Sequence, residues 1–528
     1  MNRLATWGLV AALLGGGALA QADSVAPRRV ERLALEGNRV LPTALLEAVA
    51  APWLGRALDE AEIEQLRQAL TRAYVERGYV NSGLLLLAEP DAAGTLRLRA
   101  VEGRLAKVRV TGLDGLDERH VLARLAWRPD AVLNMDALRE RFQLLLADPL
   151  VARANARLMP GEQAGEALLV LELQRARPWQ LQAQINNHRP VSVGEWQAGV
   201  QGQVHNLTGF GDRLDLSLNR ALEGRGQGQV ALGWRWPLTG LGWSATQLQL
   251  GTEHSDAAVV EEPVARLDIE SRVRSLDLGL AQTVWESPAE RLALGLQHQQ
   301  RRQSSTLLGQ HFFFLPNLPE GEALRAGVWR FWQEASWRSS REVLALRSSF
   351  AFGHSNVLPE TLQSGVEPAP APRFAYWTGQ AQWVRRIEVE GVEGLQGTLR
   401  GTVQLARDRL LPQDGLSAGG VRSVRGHREN ALLRDEGWVL NFELELPIAP
   451  QAWNGLRLLL QPFYDHARLR NRGQRWATLS SWGLALQLQA AHWSLELVAA
   501  KRLQQQNPPT HDSAWQDQGL HAQVVWRF

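Results

Sequence analysis

The sequence has no cysteine among its 528 residues. This absence excludes a disulfide framework and any metal site built on thiolates. Basic and acidic residues nearly balance, 57 against 55, and the net charge of +2 argues against a dedicated nucleic-acid binder. A chain of this length is too long for one ordinary soluble domain, so we expect two or more structural units.

Long hydrophobic runs are also missing. The apolar run Trp7–Leu14 is shorter than the ~20 residues that a membrane-spanning helix needs, and no later segment offers such a run. Arg3 precedes it, and Ala18-Leu19-Ala20 follows it in the pattern of a cleavage site. We therefore predict that residues 1–20 are a secretory signal peptide and that the mature chain has no membrane helix.

Enzyme signatures are absent as well. The sequence contains no G-x-S-x-G elbow, no H-E-x-x-H and no P-loop. Its 12 histidines are scattered, and His298 near His311 is more typical of polar loops than of a metal site. We expect no catalytic residue, no metal and no cofactor. The protein is predicted not to be an enzyme but to act by recognition and passage.

Two similar units follow the N-terminus. Residues 28–103 have a β-α-α-β-β rhythm, with strands predicted at Val80–Leu87 and Thr95–Val101, and residues 104–176 repeat it. Apolar residues at helical spacing, such as Leu66 and Leu70, indicate helix faces that pack on a sheet. Because internal repetition is a strong sign of repeated architecture, we predict two small α+β domains.

From Trp179 to Phe528, apolar residues recur at every second position. Leu214, Leu216 and Leu218 alternate with polar residues, and the same pattern recurs to the end of the chain. Segments of about ten residues with one apolar and one polar face are typical of a transmembrane β-barrel, and the tract has room for roughly sixteen antiparallel strands. The 21 tryptophans against 4 tyrosines fit the aromatic girdles of such a barrel. The strands of a soluble β-sandwich also alternate apolar and polar residues, but a sandwich would not need so many such strands.

Two short motifs stand out in this tract. Glycines frame the segment Val424-Arg425-Gly426-His427, which predicts a tight hairpin with Arg425 at its tip. Further on, Phe463-Tyr464-Asp465 lies at the end of the strand that begins at Leu456. Strand parity places Phe463 and Asp465 inside the barrel, where a carboxylate is costly without a cation. The simpler interpretation is a solvated turn and two unrelated interior charges separated by water.

The segment around Val424-Arg425-Gly426 resembles the inward-folding loop of TpsB-type translocators, the outer-membrane partners of two-partner secretion. In that family V-R-G is followed by an aromatic residue, so His427 departs from the pattern. The resemblance implies that Arg425 pairs with Asp465 of an F-x-D motif on the inner wall. The N-terminal units resemble POTRA domains through three short motifs: Arg77-Gly78-Tyr79, Val101-Glu102-Gly103 and Met159-Pro160-Gly161.

The resemblance implies POTRA domains at residues 28–103 and 104–176 in the periplasm, and an outer-membrane barrel at residues 179–528. The POTRA domains would recruit an unfolded TpsA-type exoprotein, and the barrel would conduct it outward without ATP. Further partners would be outer-membrane lipid and the barrel-assembly machinery, with Trp526 and Phe528 as the insertion signal. An insertase of outer-membrane barrels and a diffusion porin remain as alternatives. Gln21–Pro27 is too short for the plug helix of some family members, so we expect none there.

Overall fold

The computed structural model describes residues 27–224, 227–243, 245–312, 314–315, 317–319, 321–359, 369–449, 455–504 and 514–528. The predicted signal peptide, residues 21–26 and the middle of the predicted loop Ser355–Pro372 lie outside these residues. The chain divides into two compact units. Unit 1 comprises Met1–Lys107, Arg128–Ala137 and Leu158–Leu168, and unit 2 comprises Val108–Trp127, Leu138–Arg157 and Leu169–Phe528. Within the described residues, no helix has both the length and the apolar character needed to cross a membrane.

The first repeat is a small α+β domain with the elements β1 (Arg28–Val30), β2 (Arg32–Glu36), α1 (Thr43–Ala50), β3 (Arg56–Leu58), α2 (Glu60–Val75), β4 (Gly83–Ala88) and β5 (Thr95–Val101). Strands β2, β5 and β4 form its main sheet in that order. Asp59 and Glu62 form a capping box that begins helix α2, with each carboxylate accepting the other residue's backbone N–H. The predicted strand Val80–Leu87 begins only at Gly83, because Ser82 N–H closes a turn on the Tyr79 carbonyl at 3.1 Å.

The second repeat has the predicted β-α-α-β-β order, without counterparts of the short strands β1 and β3 of the first repeat. Asn134 caps its second helix, because its side-chain oxygen accepts the backbone N–H groups of Asp136 and Ala137 at 3.0 and 3.1 Å. The elements are β6 (Arg104–Thr111), α3 (Glu118–Arg124), α4 (Met135–Leu146), β7 (Val151–Pro160) and β8 (Glu166–Arg175), with sheet order β6-β8-β7.

The rest of the chain forms a closed antiparallel barrel of 16 strands, which confirms the predicted fold class. The short strand β16 extends one barrel strand, and β21 and β22 form a separate hairpin. The strands are β9 (Trp179–Asn186), β10 (Gln197–His205), β11 (Arg213–Ala221), β12 (Gly228–Pro237), β13 (Thr246–Ala258), β14 (Glu270–Glu286), β15 (Glu290–Leu307), β16 (Gln310–His311), β17 (Leu324–Arg338), β18 (Glu342–Ser355), β19 (Arg373–Arg386), β20 (Gln396–Ala406), β21 (Leu416–Ala418), β22 (Leu432–Arg434), β23 (Glu436–Ala449), β24 (Arg457–Arg470), β25 (Ala477–Gln489), β26 (Trp493–Arg502) and β27 (Leu520–Arg527).

Side chains of each barrel strand alternate between the two faces of the wall. In β24, Phe463 and Asp465 are buried, whereas Tyr464 between them is exposed on the outside. This alternation places both residues of the F-x-D motif inside the barrel, as strand parity predicts. The motif lies in the middle of β24, however, and not at its end, because the strand continues to Arg470.

The second repeat is attached to one rim of the barrel, which we call the near rim. The Gly209 carbonyl, in the turn between β10 and β11, accepts a hydrogen bond from the Asp117 backbone N–H at 2.7 Å. Beside this turn, the buried Asp148 carboxylate accepts hydrogen bonds from His120 at 3.1 Å and from Arg124 at 2.8 Å. Arg124 also reaches Glu286 of β14 at 3.2 Å. Burial by itself raises the pKa of Asp148, but the bond to His120 and the charge of Arg124 lower it to about 2.

The lowered pKa of Asp148 predicts an acid-sensitive attachment of α3. A carboxyl group whose pKa is depressed on folding stabilises the protein above its unfolded pKa of about 3.9 and loses that contribution as the pH falls toward about 2. The loss amounts to about 2 kcal/mol. We expect amide hydrogen exchange of α3, corrected for intrinsic rates, to accelerate over that interval.

The variant Asp148→Asn tests this assignment. It should lose most of the pH dependence of α3 exchange, whereas Asp114→Asn, which changes an exposed carboxylate of the same domain, should retain it. Identical pH profiles for the native protein and Asp148→Asn would show that another group controls the attachment.

Candidate functional site

The chain between β20 and β23, residues 407–435, folds back against the inner face of the barrel, and we call it the inner loop. Strands β21 and β22 form a hairpin in it, and the segment that connects them, residues 419–431, is centred on Arg425 as the sequence predicts. This connection is wider than the predicted tight turn and consists of several compact turns. Gly419 and Gly420 have φ values of +107° and +96°, and a Cβ on Gly420 would lie 2.0 Å from the Glu429 carboxyl carbon. Both positions therefore require glycine.

Arg425 and Asp465 are in direct contact. The Nε and Nη2 atoms of Arg425 each lie 2.8 Å from a different oxygen of Asp465, which is the bidentate arrangement of a strong ion pair. The backbone N–H of Arg425 donates a third hydrogen bond to the same carboxylate at 3.0 Å. Arg425 is 4% exposed and Asp465 is 0% exposed. The structure thus brings the two motifs into direct contact, as the resemblance to TpsB-type translocators implies.

Three further residues complete the surroundings of Arg425. Its Nη1 atom lies 2.7 Å from Glu443, and its guanidinium carbon lies 3.5 Å from the centre of the Phe463 ring. The Asn441 side-chain amide donates to Asp465 at 2.8 Å. The guanidinium therefore bridges two carboxylates and stacks on an aromatic face, a geometry that lysine could not reproduce. Asn441 and Glu443 are absent from the predicted site, although their odd-numbered positions in β23 share its inner face.

Gly426 joins the inner loop to the last strands of the barrel. It has a φ value of +83°, and a Cβ there would lie 2.7 Å from the Ala500 Cβ atom. Its N–H donates to the His521 Nε2 atom at 3.1 Å, and its carbonyl accepts from Arg502 at 2.6 Å. Because the backbone approaches β26 this closely, only glycine fits at this position.

Val424 and His427, which flank Arg425 and Gly426 in the chain, are fully buried. Val424 packs among apolar residues of the inner wall, including Val439 and Ala467. The Nε2 atom of His427 lies 3.3 Å from the Ser480 carbonyl of β25. His427, which replaces the usual aromatic residue of the family motif, thus contacts the wall through a polar atom.

Beyond Gly426, the inner loop has another ionic attachment that the sequence does not predict. Arg428 binds Asp517 through two hydrogen bonds of 2.6 and 2.8 Å and binds Glu261 at 2.7 Å. Glu429 N–H donates to the Gln516 side chain at 2.8 Å. These contacts extend the attachment from the barrel wall to the connections that follow β13 and β26.

The start of the inner loop is held on the other side of the barrel by Asp414. Its carboxylate is fully buried and contacts Arg301 of β15, Arg330 of β17 and the Tyr376 hydroxyl of β19, the last two at 3.3 and 3.0 Å. The strands that hold Asp414 are separated in the sheet from β23–β27, which hold Arg425 and Gly426. The inner loop is therefore bound to two separate groups of strands on the inner wall.

The arrangement holds a polypeptide segment electrostatically. Within the described residues, no three or more histidine and acidic side chains are placed to hold a metal ion. The remaining predicted residues, Trp526 and Phe528, are exposed at the end of β27 near the start of β9 and are not part of this site.

Comparison with protein families agrees with the geometry. The family model described as haemolysin secretion/activation protein ShlB/FhaC/HecB matches residues 165–490. The chain belongs to this family. A model of the ShlB-type POTRA domain matches residues 29–103. Members of the ShlB/FhaC/HecB family are outer-membrane proteins, so this barrel lies in the outer membrane with its POTRA domains on the periplasmic side. The near rim is consequently the periplasmic rim.

Individual relatives are distant in sequence. The haemolysin transporter protein ShlB of Serratia marcescens is 26% identical over 36% of this chain and 33% of its own length. The outer membrane transporter CdiB of Escherichia coli is 22% identical over 79% of this chain and 68% of its own length. The solved structure of CdiB from Escherichia coli has a TM-score of 0.74 at 19% identity, covering 98% of this chain and 93% of that one. This similarity shows a common fold.

The ion pair predicts a strong effect of Arg425→Ala. The variant leaves the buried Asp465 without its cation, a change that costs about 3–5 kcal/mol. We expect the barrel to form, as judged by heat-modifiable gel mobility, but the inner loop to detach from the wall. Protease cleavage within residues 419–431 and single-channel conductance in planar bilayers should both increase.

A matched control is Arg400→Ala, because Arg400 contacts Glu443 at 3.3 Å but does not contact Asp465. It should leave cleavage and conductance close to those of the native protein. Asp465→Ala should behave like Arg425→Ala, and exchanging the two residues should recover only part of the effect because Glu443 stays in place. An inert Asp465→Ala beside a defective Arg425→Ala would contradict the pairing.

Proposed function

We propose that this protein is the outer-membrane translocator of a two-partner secretion system. Its POTRA domains bind an unfolded exoprotein in the periplasm, and its barrel lumen conducts that exoprotein to the cell surface without ATP and without catalysis. The names of its relatives, a haemolysin transporter and an outer membrane transporter, support a transport role. The exoprotein is proposed to be of the TpsA type, and insertion of the barrel itself is proposed to use the barrel-assembly machinery.

The observation that carries the proposal is an inner loop bound to the inner wall of the barrel through ion pairs. Its anchors at Asp465, Asp414 and Arg428 are hydrogen-bonded ion pairs on the inner wall. Such groups can exchange partners with the polar backbone of a passing chain, whereas an apolar plug would have to be transferred into water. A loop on the inner wall that can exchange its polar contacts suits a conduit for an unfolded polypeptide.

Recognition is proposed to occur at the edge of strand β4. This strand ends the sheet of the first POTRA domain, and Leu85, Leu86 and Leu87 on it are exposed, Leu85 by 54%. The backbone of Leu84 is already bonded to helix α2, since its N–H donates to Thr71 and its carbonyl accepts from Arg67. An extended exoprotein segment would therefore pair from Leu85 onward, by strand addition with apolar side-chain contacts.

The direct test uses a strain that lacks this protein and an exoprotein expressed with it, the first choice being one encoded by the neighbouring gene. Expression of the full chain should restore the exoprotein to the medium, and a chain lacking Arg28–Gly103 should insert but not export. Proteoliposomes containing the purified protein should import the unfolded exoprotein without nucleotide. If the strain that lacks this protein loses outer-membrane barrels in general but secretes the exoprotein normally, the protein is an insertase instead.

A finer prediction concerns the β4 edge. The double variant Leu85→Asp/Leu87→Asp places two charges where the exoprotein is proposed to pack, and it should reduce export roughly tenfold or more, because each exposed apolar contact contributes about 1 kcal/mol or more to binding. Binding of exoprotein to the purified full chain should weaken in parallel.

The control is Val75→Asp, which introduces a charge at another exposed apolar residue of the same domain, at the end of α2. Export by this variant should stay near the native level. Equal export by both variants would contradict recognition through β4.

A further inference from the structure

Three arginines lie side by side on neighbouring strands of the barrel. Arg274 of β14 is directly opposite Arg302 of β15, and Arg302 is directly opposite Arg325 of β17. We call these residues the arginine row. Directly opposed residues in an antiparallel sheet have Cβ atoms about 5 Å apart, and like charges in such positions are destabilising. Three arginines that lie directly opposite one another on successive strands therefore require an explanation.

The arginine row is on the outer face of the barrel, next to the membrane-facing surface. Arg274 shares its face of β14 with Leu276, Leu278 and Leu280, which are exposed by 62%, 51% and 49%. On β17, Trp329 and Phe331 follow Arg325 on the same face and are also exposed. Leucines flanked by exposed aromatic residues mark the lipid-facing band and its interface. The arginine row thus lies just beyond this band.

The row lies at the rim opposite the periplasmic one. Strand β14 runs from Glu270 to Glu286, and Glu286 contacts Arg124 at the near rim. Arg274, near the start of β14, is therefore at the extracellular end, and the register places Arg302 and Arg325 at the same height. This height corresponds to the headgroups of the outer leaflet.

The protein groups that the structure describes do not neutralise the row. In the described parts of the chain, none of its three guanidinium groups forms an ion pair, and the neighbouring Asp256 is already bonded to Arg272 at 2.8 Å and to His254 at 3.3 Å. The opposite rim differs: on the same outer face Arg385 is paired in register with Glu342, 4.0 Å away. The charges of the arginine row are thus available to an anion from outside the protein.

We infer that the arginine row binds the phosphate groups of an anionic lipid in the outer leaflet. Arginine forks match phosphate oxygens in geometry and charge, and clustered arginines at a membrane surface attract anionic headgroups. The acyl chains of the same lipid cover the leucines and aromatic side chains immediately below. This assignment depends on the barrel lying in the outer membrane and is independent of what the lumen transports.

Binding of lipid A, which carries two phosphate groups, to the purified full-length protein tests the inference by native mass spectrometry. The triple variant Arg274→Gln/Arg302→Gln/Arg325→Gln should bind lipid A on the order of a hundredfold more weakly, at roughly fivefold per arginine. The matched control Arg97→Gln/Arg109→Gln/Arg153→Gln removes three exposed arginines from the POTRA domains and should bind as the native protein does.

Further arms separate the sources of phosphate and guard against misfolding. Lipid A stripped of its phosphates should bind the native protein as weakly as phosphorylated lipid A binds the triple variant, and millimolar inorganic phosphate should not displace the phosphorylated lipid. Replacing the three residues by lysine should retain most of the binding, and the single variant Arg302→Gln should show an intermediate loss. Undiminished binding by the triple variant, equal binding of dephosphorylated lipid, or complete displacement by inorganic phosphate would each overturn the inference.

Discussion

The buried carboxylate of Asp465 determines where the inner loop can lie. A fully buried charge in a barrel wall is tolerated only when donors surround it. Here the donors are the fork and the backbone N–H of Arg425 together with the Asn441 amide. Because one residue contributes both its side chain and its backbone, the chain cannot turn about Arg425 without breaking several bonds. The glycines on either side follow from this, since the segment must curve tightly against β26.

The second constraint is that the inner loop is held at both ends of its path. Asp414 binds strands β15, β17 and β19, while Arg425 and Gly426 contact β23–β27. Releasing one attachment leaves the other in place, so the segment can move in the lumen without leaving it. These ionic attachments are accompanied by apolar packing, since Val424 packs against Val439 and Ala467 of the inner wall.

Because successive side chains point to opposite faces of the barrel wall, one strand can bind the inner loop on one face and contact lipid on the other. In β15, Arg301 points inward and binds Asp414, whereas the next residue, Arg302, points outward into the arginine row. The same alternation separates Asp465 on the inner face of β24 from Tyr464 on its outer face. A substitution that changes a lumen contact therefore need not change a lipid contact of the same strand, because neighbouring side chains never share a face.

Much of this protein follows from local pattern. Alternation of apolar and polar residues determined the barrel and placed Phe463 and Asp465 on its inner face, and the repeated β-α-α-β-β order determined two similar N-terminal domains. Acidic residues at Asp59 and Glu62 determined where α2 begins. These features depend on side chains a few residues apart, whose relative directions the strand or helix period sets.

Only the tertiary structure decided how the inner loop is held. Glu443, Asp414, Arg428 and His521 act through partners far away in sequence, and neither composition nor period indicates such pairs. The compact turns between β21 and β22 likewise depend on how closely Gly420 approaches Glu429 and Gly426 approaches Ala500. Barrel closure and the return of a loop into the lumen set these distances, and both are properties of the whole chain that no local segment encodes.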